Sequence, residues 1–157
     1  MKILKRILVV LLSVIIVLPI ISYIGIVITN NIIADNVEKD LVAYELPINT
    51  KLVDSISIAG KLTGNGNGMQ YMGAILVESD LSEEELNEHY ISEFDYIEIR
   101  KQETANINFI HSSNYRFNNF SITNKDSYYS ITCWEDNRRE KYGDLLSELL
   151  DFDIRGH

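Results

Sequence analysis

The residues that come nearest to a chemical motif are Thr63-Gly64-Asn65-Gly66-Asn67-Gly68. Main-chain amides without covering side chains can receive a ligand carbonyl or carboxylate. A phosphate loop would need a Lys-Ser/Thr pair and a following helix, and neither is present. The G-x-G-x-x-G spacing is missing too. Glycine and asparagine both tolerate positive φ, so a hairpin connection accounts for the same residues. The histidines are His89, His111 and His157, and no two have metal-ligand spacing. The acidic run Asp80, Glu83, Glu84, Glu85, Glu88 lacks the alternating oxygens of a calcium loop, and helix capping explains it. No metal and no cofactor is assigned. Cys133 alternates inward beside Trp134, which favours a buried structural thiol over a nucleophile. Asp54, His111 or His157 could serve as acid–base groups. No nucleophile elbow is present, and nothing selects a Ser-His-Asp set.

The frame that must carry any site begins with Ile7–Ile28, twenty-two residues without a charge. As a helix this run is roughly 33 Å long, the hydrocarbon thickness of a bilayer. Lys2, Lys5 and Arg6 precede it and no acidic residue does, so the positive-inside rule puts residues 1–6 in the cytoplasm and Asn30 onward outside. The run is longer than the apolar core of a cleaved signal peptide and no small-x-small site follows, so it reads as an uncleaved signal anchor. Residues 29–47 read as a juxtamembrane stalk, with Ile32, Ile33, Val37, Leu41 and Val42 at helical spacing. Residues 48–157 are enough for one domain. Beyond the run, 11 basic residues face 23 acidic ones, a formal charge of −12. That surface repels nucleic acid and anionic headgroups, and it suits cationic partners. One cysteine makes no internal disulfide.

Within the domain, strands are expected over 52–62, 69–77, 96–101, 107–110, 115–123 and 128–135. Leu52, Ile56, Ile58 and Leu62 fall on one face of the first strand. The second is apolar on both sides, as a central strand would be. Helices are expected over 81–94, opened by a Ser82–Glu85 capping box, and from Tyr142 through Leu150. Phe152 to Arg155 reads as an edge strand or tail. Short connections imply a mainly antiparallel sheet packed against two helices, an α+β fold. Tyr115, Tyr128 and Tyr129 could form a binding face for a peptide or glycan, or simply be half-buried sheet residues.

The segment Ala59-Gly60-Lys61-Leu62-Thr63-Gly64-Asn65-Gly66-Asn67-Gly68-Met69-Gln70-Tyr71 resembles an uncharacterised family of small single-pass membrane-anchored proteins of Gram-positive bacteria. The ending Asp153-Ile154-Arg155-Gly156-His157 is similar to theirs. The resemblance implies a single-pass membrane protein, no assigned activity and no transferable site residue. It draws attention to Gly64, Asn65, Gly66, Asn67 and Gly68 together with Arg155 and His157 as ligand-binding candidates. The reading is a membrane-anchored interaction module with a protein or peptide partner and no nucleic acid. An envelope enzyme with an unrecognised site is the alternative, followed by a protein acting through its membrane helix.

Overall fold

The computed structural model describes residues 2–62, 68–107, 115–119, 127–135 and 141–154. The chain begins with one uninterrupted helix, α1 (Lys2–Ala43), of 42 residues. Pro19 sits inside it without ending it. Among the described residues four strands follow: β1 (Thr50–Gly60), β2 (Gln70–Ser79), β3 (Ile97–Lys101) and β4 (Tyr128–Trp134). Helix α2 (Glu83–Tyr90) lies between β2 and β3, and α3 (Asp144–Leu150) follows β4. The fold is α+β, with one antiparallel sheet in the order β1-β2-β4-β3.

The lipid-length run does not lead into a separate stalk. From Ile26 on, α1 turns one face toward the sheet, and Ile26, Asn30, Ile33, Ala34, Val37 and Leu41 are buried at three- and four-residue spacing. Ile32 and Val42, on other faces, stay exposed. Residues 29–43 are therefore the core helix of the domain, which corrects the expected stalk over 29–47. The sheet needs an apolar cover, and this helix supplies it.

Gly73 makes the close approach possible. A Cβ there would lie 2.5 Å from the Glu38 nitrogen and 2.6 Å from its Cα. Those are backbone atoms of α1, so no side chain can swing aside. The helix then comes low enough for its acids to reach β1: Glu38 accepts a hydrogen bond from the Ser55 hydroxyl, and Asp35 accepts one from Ser57.

β1 contains an irregularity between Leu52 and Asp54, where Val53 is extra to the register. An extra residue inverts the alternation beyond it. Leu52 packs on the α1 side, whereas Ile56 and Ile58 pack on the opposite side. The expectation that Leu52, Ile56 and Ile58 share a face fails for this reason. β2 is buried on both sides, as its sequence indicates: Tyr71, Ile75 and Val77 meet the helices, and Met72, Ala74 and Leu76 meet a second cluster. Ile107 and Phe117 cover that second face. They are joined through the Asn106–Arg116 bridge, and most of the strands expected at 107–110 and 115–123 lies outside the described residues.

Helix α2 opens with the Ser82–Glu85 capping box, both reciprocal bonds being made. It ends at Tyr90, earlier than expected, and Phe94 closes the next turn through its amide and the Tyr90 carbonyl. Gly143 precedes α3 with φ 76°, a conformation that L side chains rarely adopt. Phe152–Ile154 form no strand.

Gly73→Ala tests the seat of α1. The added methyl must push two backbones apart, and overpacking of this kind costs about 1–3 kcal/mol. A lower melting temperature of the full-length protein in micelles is expected, and an unchanged one would contradict the helix position.

Candidate functional site

Of the seven sequence-predicted site residues, Gly68 alone is described; Gly64, Asn65, Gly66, Asn67, Arg155 and His157 lie outside the described residues. Gly68 ends the β1–β2 connection, against the start of the C-terminal segment. A Cβ on it would fall 2.2 Å from Asp151 Oδ1. The next amide, Met69 N–H, donates to that oxygen at 2.7 Å. The described flank of the glycine-rich stretch thus meets the described flank of the tail.

Beneath this junction lies a buried polar group. Asn30 Nδ2 donates to the Leu150 carbonyl at 3.2 Å and to Asp153 Oδ2 at 2.9 Å. The Tyr71 hydroxyl donates to Asn30 Oδ1 at 2.6 Å. All three side chains are buried. Buried polar groups persist when satisfied, and this set ties α1, β2 and the C-terminal segment together. Its role in the fold is that of a clasp. No pattern in the sequence links residues 30, 71 and 153.

Asp54, the possible acid–base residue, is already engaged. Its carboxylate accepts from the amides of Asn118 (2.6 Å) and Asn119 (2.8 Å), from Asn119 Nδ2 and from the Ser55 amide. It brackets the 118–119 segment onto β1. His111 and His157 lie outside the described residues. His89 joins its Nε2 to the Glu45 carbonyl at 2.7 Å and stacks at a tilt on Tyr44, holding α2 to the end of α1. Tyr128 and Tyr129 are buried on opposite faces of β4 and form no common binding face. Among the described residues no group of histidine, cysteine and carboxylate side chains could hold a metal ion.

The depression with the most distinctive chemistry lies where α1, the 93–96 segment and the end of β4 meet. Its volume is about 170 Å³, below the roughly 300–1,000 Å³ of small-molecule pockets. Asp40, Glu93, Asp95 and Glu135 stand around it, Phe94 and Tyr96 supply aromatic walls, and Val37 and Cys133 are buried residues of its lining. Lys141 approaches Glu135 at 3.5 Å. The other three acids come from an exposed helix position and an exposed loop. Two broader depressions are also acid-rimmed, one by Glu83, Glu84 and Glu98, the other by Glu78 and Asp80.

Burial pushes the Cys133 thiol up to about 11, and the charges of Glu135 and Asp40 add to the effect. At neutral pH it is a thiol, which is a poor nucleophile. Burial also pushes Tyr90 up to about 12, with Tyr44 adding to it. The Tyr90 hydroxyl is buried without a hydrogen-bond partner among the described residues.

No family of known proteins, no curated protein and no solved structure matches the chain.

Two outcomes follow from these environments. Tyr71→Phe leaves Asn30 Oδ1 buried without that donor, and a loss of about 1–3 kcal/mol is expected in chemical denaturation; no loss would show the clasp to be dispensable. The folded-state pKa of Cys133 lies above its unfolded value, so its contribution to stability is complete below about pH 9 and lost as pH rises through about 11. Cys133→Ala should flatten alkaline unfolding in that window, and an unaltered pH profile would show that the thiol is not so buried.

Proposed function

We propose that the protein is a membrane-anchored, extracytoplasmic binding module whose acidic cleft receives a cationic side chain of a protein or peptide partner. The observation that carries this reading is α1 itself. One helix is long and apolar enough to cross a membrane at its N-terminal end, and its other end is the core of the domain. Lys2, Lys5 and Arg6 before the apolar run favour a cytoplasmic N-terminus and, with it, an extracytoplasmic domain.

The cleft is side-chain sized, ringed by carboxylates and walled by Phe94 and Tyr96. Carboxylates attract an ammonium or guanidinium, and aromatic faces favour the same groups. The formal charge of −12 beyond the anchor steers cationic partners and repels nucleic acid.

Calorimetric titration of the full-length protein with a lysine-rich peptide, against a neutral peptide of equal length, tests the site. Saturable binding that weakens with salt is expected. Asp40→Asn with Asp95→Asn should weaken it by about five-fold or more, corresponding to roughly 1 kcal/mol of lost pairing. Equal affinity for both peptides would reject the cleft as a cation site.

A further inference from the structure

On the membrane-anchor reading just given, we infer that α3 and the turn after it lie in the lipid interface of the leaflet on the domain's side, as a second contact with the membrane that α1 crosses. Four apolar side chains here face outward: Leu145 is 82 % exposed, Leu149 45 %, Phe152 68 % and Ile154 68 %. Leu145, Leu149 and Phe152 stand at i, i+4 and i+7, one face of a helical turn. Ser147 and Leu150 form a second face, buried in the domain. Asp144, Glu148 and Asp151 form a third by the same spacing, and Asp151 is held toward Gly68 and Met69. The segment thus separates an outward apolar face from both its core face and its acids, as an interfacial helix does.

Its depth along α1 identifies what covers that face. The uncharged run ends at Ile28. Leu150 and Asp153 are hydrogen-bonded to Asn30, two residues beyond it. The domain's core cluster reaches down to Ile26, which is buried inside the run itself. A segment bonded at Asn30 sits at the level where hydrocarbon gives way to headgroups. The register of the sheet agrees. Asp35 meets Ser57 and Glu38 meets Ser55, so β1 descends toward the membrane and its far end at Thr50 and Lys51 is remote from it. Leucine and phenylalanine at interfacial depth are covered by acyl chains continuous with those around Ile24 and Ile28, which are exposed on α1.

Depth-resolved quenching of the full-length protein in phosphatidylcholine vesicles tests this. In a Cys133→Ala background, single cysteines replace Leu145, Phe152, Lys51 and Ser13 in turn, each carrying an environment-sensitive fluorophore. Leu145 and Lys51 are exposed, so labels there leave the core intact. Spin-labelled lipids with shallow and deep quenchers are then added. The labels at 145 and 152 should be quenched by the shallow lipid about two-fold or more beyond the label at 51, and the label at 13 by the deep lipid. Quenching at 13 with none at 145 and 152 above that at 51 overturns the inference and leaves the anchor standing. Blue-shifted emission at 145 and 152 without lipid quenching also overturns it, since a second copy would then cover the face. No quenching at 13 overturns the anchor and the interfacial contact together.

Discussion

The backbone of α1 rests on the backbone of β2 at Gly73, and the rest of the domain takes its position from that contact. Only a residue without Cβ admits the Glu38 main chain at such a distance. Once the helix is that low, Ser55 and Ser57 reach Glu38 and Asp35, and Asn30 reaches Tyr71 and Asp153. Val37 and Leu41 then fill the layer above Ile75 and Ile131. A helix held farther away would leave that layer underfilled, and interiors are too closely packed to absorb the gap. One helix therefore meets two constraints. Its uncharged run is apolar on every side, and beyond that run it turns one apolar face to the sheet and carries its charged residues on the others.

Much of this was legible in the sequence. The uncharged run, the apolar stripe through Ile33, Val37 and Leu41, the capping box at Ser82 and the two-sided character of β2 are local patterns, and local patterns survive folding. The stalk was misread because periodicity shows that a helix has an apolar face without showing what lies against it. The common face expected for Leu52, Ile56 and Ile58 fails for a related reason. A bulge is a property of two strands in register, and one strand's alternation cannot reveal an extra residue. Strand order was hidden as well. β4 enters between β2 and β3, and that pairing joins segments far apart in the chain.

The polar clasp and the acidic cleft belong to this non-local category. Asn30, Tyr71 and Asp153 are ordinary residues in sequence, and only the seating of α1 brings them together. The cleft gathers Asp40 from α1, Asp95 from the loop before β3 and Glu135 from the end of β4. Those acids read as solvated charge along the chain, because nothing in their spacing announces the neighbourhood. Gly68, the described end of the glycine-rich stretch, meets the C-terminal segment at Asp151. The Asp151 carboxylate also accepts the Met69 amide there, so this junction is one of packing and hydrogen bonding.

The continuity of α1 has a mechanical meaning. A domain on a flexible tether samples every orientation above a membrane, whereas here no joint separates the apolar run from the core layer. From Ile28 to Ala43 the helix extends roughly 22 Å further, as a lever arm with the sheet fixed along it. On the proposed membrane-anchored reading, hydrophobic thickness is one of the constraints on its tilt, beside packing and interfacial anchors. A tilt of the helix is then the same tilt of the sheet, and the cleft turns with it. On that reading, whatever sets the tilt of the helix also sets the direction in which the acidic opening points.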